Sequence, residues 1–360
     1  MLHRASGLLF FFLLANPSAR AQNVRIGVLG LFHPRGITLR AAPGEAVAVR
    51  AGEKIFVLEP QSRANAAEIR ISGNALLLEI GGEIVRTAEI RAANRSQGAA
   101  GFVLAVPGPA GEEKIRRAYR GTLVVKAAAG VLEPVVTMEL ETAVASVVQA
   151  ETAPGTSLEA LKAQAVAARS YFVAGRGRHR DFDFCDLTHC QFLREPPAPE
   201  SPAAVATRAT HGLLLAWRGA PFAAMFTRSC AGRTRTPAEL GIPIRDYPYF
   251  AVECEYCRKN PARWSRRVSV EDAARLFGKG EAGRLAVDRR LGWNAVPSND
   301  FTARTDDGRV LLEGAGQGHG IGLCQRGAQA MAEAGAGFRQ ILEHYYPNAA
   351  IVRADNPPEP

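Results

Sequence analysis

From residue 24 to residue 115 the chain is written as short apolar runs cut by Gly, Pro and Asn, and the clearest helical period comes only after Pro154. Arg25-Ile-Gly-Val-Leu-Gly-Leu opens with alternation, and Lys54-Ile-Phe-Val-Leu, Ala75-Leu-Leu-Leu-Glu-Ile and Gly101-Phe-Val-Leu-Ala-Val follow as strands between turn signals. Tyr119-Arg-Gly-Thr-Leu-Val-Val is a further strand, and Leu140-Glu-Thr-Ala-Val-Ala-Ser-Val-Val leads into the segment that holds Glu151. Then Thr156 and Glu159 match a capping box behind Pro154, and Leu158, Leu161, Ala165, Ala168 and Phe172 recur as one apolar stripe. Lys162, Gln164, Arg169 and Tyr171 fall outside that stripe, and Gly175 and Gly177 end the helix.

The expected fold class is therefore α+β. A β-rich N-terminal region spans 22–115 and a mixed helix/strand core spans 116–350, with 235–310 an insertion or subdomain and 351–360 a disordered tail. Later elements read as a helix from Pro202 to about Thr210, strands at Leu213–Trp217 and Phe222–Phe226, and a turn over Arg228–Thr234. Helices follow at Ser269–Phe277, up to Met331, and over Phe338–Tyr346 before Pro347.

The first 21 residues set the expected compartment. His3 and Arg4 precede an apolar run from Gly7 to Ala15, Asn16-Pro17-Ser18 break it, and Ala19-Arg20-Ala21 fits a small-x-small cleavage site. That run of about nine residues is too short to cross a hydrocarbon layer of about 30 Å. The reading is a signal peptide over 1–21, a mature chain from Gln22, no transmembrane anchor, and export to the periplasm or the extracellular wall. The formal charge of +9 favours an acidic partner. The basic runs Arg176–Arg180 and Arg263–Arg267 are short, so no nucleic-acid arm is expected.

Three separated segments then carry a resemblance. The first is Val147-Val-Gln-Ala-Glu151-Thr-Ala-Pro with Leu158-Glu-Ala-Leu-Lys-Ala-Gln-Ala-Val-Ala-Ala-Arg-Ser-Tyr171. The second is Cys185-Asp-Leu-Thr-His-Cys-Gln191. The third is Gly316-Gln-Gly-His-Gly-Ile-Gly-Leu-Cys-Gln-Arg-Gly-Ala328 with Ile341-Leu-Glu-His-Tyr-Tyr-Pro347. Tyr119-Arg-Gly and Ser229-Cys-Ala-Gly-Arg-Thr234 add weaker matches. In order and spacing the chain resembles the SpoIID/LytB family from about residue 117 to 350. It departs at Thr152, where the family often has Met, and at Ala231-Gly232, where it usually has Gly-Gly.

The resemblance implies action on bacterial cell-wall glycan, as a lytic transglycosylase with Glu151 as the acid, or as a non-catalytic enhancer of a cell-wall amidase. Most glycosidases need two carboxylates, and no second acid recurs near Glu151 in the matched segments. A lytic transglycosylase needs one, because the 6-hydroxyl of the muramyl sugar is a tethered nucleophile of high effective molarity. Burial beside Val147, Val148 and Ala153 is expected to raise the Glu151 pKa. The family places polar residues of the next helix in the groove, so Lys162, Gln164, Arg169 and Tyr171 are substrate-binding candidates. Thr188, Gln191, Ser229, His319 and Gln325 join them. A solvated helix face, and for His319 a structural role, are the plain alternatives.

Six cysteines remain: Cys185, Cys190, Cys230, Cys254, Cys257 and Cys324. An even number in an oxidising compartment permits disulfides, and their clustering permits a metal. His179, Cys185, His189 and Cys190 lie within twelve residues. Some family members carry zinc at this loop, and His179, Cys185 and Cys190 match that set by position. A Cys185–Cys190 disulfide competes with it, and a metal-dependent hydrolase is the third functional alternative. Cys254-Glu-Tyr-Cys257 reads as a local disulfide or plain packing, Cys230 as part of the groove wall, and Cys324 as a small buried residue. The glycines from Gly314 to Gly322 lack Gly-Lys-Ser/Thr, so they serve close backbone approach and no organic cofactor is expected.

Overall fold

The computed structural model describes residues 22–108, 112–188, 190–240, 249–277, 295–306 and 308–354. The expected signal peptide, His189, residues 355–360 of the expected tail, and parts of the 235–310 segment lie outside the described residues.

Alternating apolar residues build a large curled sheet. Its strands are β1 (Asn23–Gly27), β2 (Gly36–Ala41), β3 (Val47–Ala51), β4 (Lys54–Leu58), β5 (Ala67–Ser72), β6 (Ala75–Ile80), β7 (Glu83–Thr87), β8 (Glu89–Ala93), β9 (Ala100–Pro107), β10 (Glu113–Ala128), β11 (Val131–Glu139) and β12 (Phe184–Cys185). The main path runs β12-β1-β11-β10-β9-β2-β5-β6-β7, and β3, β4 and β8 branch from β10 through β8. β2 shows the period of two that a half-buried strand requires: Ile37, Leu39 and Ala41 are buried while their neighbours are half-buried. With Ile26, Val49, Ile69, Leu78, Phe102, Leu123 and Val136 they form one core.

β10 spans the expected boundary at 115/116. Its first half pairs with β9 and its second with β11 and β8. The N-terminal strands and the core that follows therefore share one sheet.

β11 runs directly into helix α1 (Leu140–Glu151), and α2 (Leu158–Ala174) follows after a short turn. Here the expected capping box is corrected. The N-cap is Ser157, with no side-chain capping bond, and Glu159 instead accepts from the Phe338 N–H at 2.8 Å and pairs with Lys162 at 2.6 Å. The single stripe is also corrected. Every residue of α2 from Ala160 to Phe172 is buried except half-buried Lys162, whereas Leu158 is exposed. Five alanines between 160 and 168 make α2 slim enough to be surrounded by α1, the Pro202–Ala209 helix, the Leu213–Trp217 strand and the two C-terminal helices. Those last helices run Gln325–Glu333 and Phe338–Tyr345.

Within the expected insertion, strands Arg263–Val268, Phe301–Asp306 and Arg309–Ala315 form a separate antiparallel sheet. Val296 and Leu312 centre a small core of its own. Its middle strand ends at Ala315, where the glycine-rich tail begins. Among the described residues no helix is long and apolar enough to cross a membrane.

Candidate functional site

Glu151 is the last residue of α1. Val147 and Val148, one turn earlier, are fully buried, and Glu151 itself is half-buried. Its carboxylate Oε1 accepts from the Phe192 backbone N–H at 3.0 Å. Burial pushes the carboxyl up to about 7, against the opposing pull of the Phe192 N–H and of the Arg228 and Arg194 cations. The negative end of the α1 dipole acts in the same direction as burial, since a helix C-terminus disfavours an anion. Ala153, expected to help bury Glu151, is exposed.

A cleft of about 200 Å³ opens beside this helix end. Thr152, Ala153 and Thr156 form one side, Gln164 lies on α2, and Arg228, Tyr256, Gln325, Arg326 and Gln329 complete the wall. Arg228 and Gln325 both donate to the Glu151 carbonyl, each at 3.1 Å, so two wall residues hold the helix end in place. Gln325 also donates to Gln164 Oε1 at 3.4 Å. Gln164 is buried, and its Nε2 has no protein partner. The glycine-rich tail lines up against Met225–Ser229. A Cβ on Gly322 would lie 2.0 Å from the Met225 carbonyl oxygen, so close approach is what this glycine provides.

The segment between β12 and Phe192 completes the site. β12 pairs in parallel with β1 (Ile26 with Phe184, Gly27 with Cys185). Buried Asp186 accepts from the Leu29 N–H at 3.2 Å and pairs with Arg117 at 2.6 Å. The donor atoms of His179, which precedes β12, and of Cys185 and Cys190 all lie within 4.8 Å of one another. His179 Nε2 is 3.3 Å from Cys190 Sγ, and the Cys190 thiol is held down to about 7, chiefly by its hydrogen bond with Cys185. One imidazole and two sulfurs at this spacing suit a tetrahedral soft metal.

The comparisons with known proteins bear on this same region. The model of the SpoIID family, "Stage II sporulation protein", matches residues 128–217, from the end of β10 through α1, α2 and the Cys/His loop. The stage II sporulation protein D of Bacillus amyloliquefaciens is 26% identical over 263 residues, covering 60% of this chain and 75% of that protein. An amidase enhancer of Bacillus subtilis is 39% identical over 62 residues, 17% of this chain and 9% of its own length. The chain belongs to the SpoIID/LytB family. An uncharacterized protein of Brachyspira hyodysenteriae is 26% identical over 249 residues, 60% of this chain and 67% of its own.

The expected groove residues of this SpoIID/LytB chain divide. Gln164 and Gln325 line the cleft, and Gln325 bonds the backbone carbonyl of Glu151, the residue before the wall residue Thr152. Gln191 is buried next to Phe192, with Nε2 donating to the Ala168 carbonyl at 3.1 Å and Oε1 without a protein partner. Thr188 is exposed on the Cys/His loop.

The others are placed elsewhere. Arg169 is fully buried and forms a two-point pair with Glu141 at 2.7 Å, with further bonds to the Leu213 and Thr207 carbonyls. Its guanidinium is sealed in the core, so the groove role is corrected to a structural one. Tyr171 is buried on the Phe184 ring. Lys162 is held by Glu159, outside the cleft wall. Ser229 is buried, its hydroxyl 3.6 Å from Cys257 Sγ. His319 Nδ1 accepts from the Ile321 N–H at 3.0 Å, the contact of a turn residue.

Sequence reading missed Arg194, Arg228, Arg326, Tyr256 and Gln329. Arg326 stands within the third family-like segment, and Gln329 follows its last residue, one helical turn on from Gln325 and on the same face, which is the signal that could have found them. Cys230, Cys254, Cys257 and Cys324 also converge: their sulfurs all lie within 4.8 Å of one another. Reading Cys254 and Cys257 as a local pair is thereby corrected, since all four cysteines are free thiols of one buried cluster.

Proposed function

We propose that this chain is an exported lytic transglycosylase that cuts the MurNAc-GlcNAc bond of peptide-stripped glycan strands, with Glu151 as the single general acid and base. The family assignment supports a cell-wall-related role. The observation that carries the finer reading is the state of Glu151: a half-buried carboxyl, neutral up to about pH 7, on the residue that precedes the cleft wall at Thr152.

The chemistry follows from that state. The Phe192 N–H occupies Oε1 as an acceptor, which leaves the other oxygen to carry the proton. That proton goes to the glycosidic oxygen as the anomeric C–O bond breaks. The sugar's own 6-hydroxyl oxygen bonds to the anomeric carbon, and its proton returns to the Glu151 carboxylate. The products are a 1,6-anhydro-muramyl end and a free hydroxyl on the departing chain, with no net proton change. Gln164 and Gln325 suit sugar hydroxyls, and Arg228 and Arg326 suit the lactyl carboxylate of muramic acid.

His179, Cys185 and Cys190 are the residues that would hold a zinc ion, whose contribution is structural: it fixes the loop that carries the Phe192 N–H. Their donor set and mutual spacing fit such an ion.

Mass analysis of glycan fragments tests the reading. Purified strands incubated with the wild-type chain are expected to gain anhydro-muramyl ends, and Glu151→Gln to yield none. Equal product from the two chains would remove Glu151 as the acid. The second reading, a non-catalytic enhancer of a wall amidase, draws on the relative named amidase enhancer. It requires that Glu151→Gln still stimulate an amidase to the same extent while neither chain makes anhydro ends.

A further inference from the structure

We propose that Cys230, Cys254, Cys257 and Cys324 together bind one structural zinc ion that fixes the wall of the cleft. All four lie beyond the residues matched by the family model, which end at 217.

Three chain segments meet here. Cys230 sits in the turn Ser229–Gly232, whose Ala231 has φ +61. Cys254 and Cys257 flank the start of the Glu255–Lys259 helix, and Cys324 is the N-cap of the Gln325–Glu333 helix. The Cys254 N–H donates to the Gly232 carbonyl at 2.8 Å, which docks the second segment on the first. Each cysteine is no more than 5% exposed.

The sulfur geometry selects the ligand. A zinc–sulfur bond of about 2.3 Å puts neighbouring sulfurs of a tetrahedron roughly 3.8 Å apart. Cys257 and Cys324 are 3.6 Å apart and no pair of the four exceeds 4.8 Å. An iron–sulfur cubane holds its cysteines outside a cage of four metals and needs more room.

Two hydroxyls attend the sulfurs, Tyr345 at 3.4 Å from Cys254 and Ser229 at 3.6 Å from Cys257. They suit donation to thiolates, as outer partners of metal ligands do. The neighbourhood is shaped to the sulfurs, since a Cβ on Gly327 would lie 2.5 Å from Cys254 Sγ and 2.0 Å from the Tyr345 hydroxyl. Binding releases the thiol protons to solvent and leaves four thiolates on one cation.

The ligands are interleaved with the cleft wall. Tyr256 stands between Cys254 and Cys257, Leu323 and Gln325 flank Cys324, and Arg228 precedes Cys230 by two. One ion ties these three wall segments to a single point.

The test uses the full chain, purified reduced from zinc-containing medium, with His179's loop disabled by Cys185→Ser and Cys190→Ser. An organomercurial that titrates thiols is expected to release one zinc per chain from this variant. Adding Cys257→Ser is expected to abolish that release. Tryptic cutting after Arg258 or Lys259 is expected to rise roughly tenfold once the metal is stripped, as a local unit opens. Release of no zinc from the Cys185→Ser/Cys190→Ser chain, or peptide mapping that finds disulfides among the four, overturns the proposal. None of these readouts depends on glycan turnover, so they stand or fall apart from the transglycosylase reading.

Discussion

The Phe192 N–H donates to Glu151 Oε1 across 41 residues of sequence, joining the Cys/His loop to the end of α1 at 3.0 Å. Only Gln191 separates Phe192 from Cys190, so whatever steadies the cysteine steadies the carboxyl. The electrostatics of Glu151 and the order of that loop are one variable.

The pH dependence follows from the sign of the Glu151 shift. Burial raises its folded-state pKa from 4.5 to about 7. The unfolded chain ionises first, so stability is full below about pH 4.5 and is lost as pH rises to about 7. Glu151→Gln is therefore expected to melt with the wild type at pH 4 and above it at pH 8. The gain is on the order of 2 kcal/mol after discounting for partial solvation. On the transglycosylase proposal, glycan cleavage by the wild type is expected to fall about tenfold per pH unit above 7, as the proposed proton donor is lost. Thermal melts at two pH values and a rate profile measure both.

Gln164 offers the cleft a buried amide whose Nε2 has no protein partner. Gln164→Leu keeps the volume and removes that donor. Binding of peptide-free glycan is expected to weaken about tenfold, the worth of one buried hydrogen bond. Melting should change little, and calorimetric titration against a melt separates the two.

Arg169 has the opposite profile. Its guanidinium is sealed in the core, bonded to two carbonyls and paired with half-buried Glu141. Arg169→Met leaves Glu141 without its cation and is expected to cost about 3–5 kcal/mol. Arg169→Met with Glu141→Leu should recover a large part of that loss, which a double-mutant cycle in urea reads directly.

Cys190→Ser removes one donor from the His179, Cys185 and Cys190 set. Cleavage is expected to drop at least about tenfold with Glu151 intact, because the Phe192 N–H is no longer fixed and positioning carries a large part of the rate. The same chain should bind one zinc fewer than the wild type by elemental analysis.

Sequence reading found the strand-rich start and the 158–174 helix because each is a local signal, a period of two and a period near 3.6; Glu151 was singled out by a motif. It misjudged the sides of α2, because a helix enclosed by alanine contacts has no outer face for a stripe to reveal. It assigned Arg169 to the groove on the family resemblance, whereas its partner Glu141 lies 28 positions earlier in another helix. The four-cysteine cluster was out of reach for the same reason: Cys257 and Cys324 touch across 67 positions. Nothing between them repeats a metal-binding spacing.

The parallel pairing of β1 with β12 sets an order of events for this chain as it folds. Leu29 finds its Asp186 partner only across 157 positions. The strand that leaves a ribosome or a translocation channel among the first must wait for more than a hundred residues before its outer edge is covered. Until then its open rim is a docking surface for stray strands. The loop that bonds Glu151 thus closes only once residues 184–192 are in place, and on the transglycosylase proposal competence at the glycan waits for it.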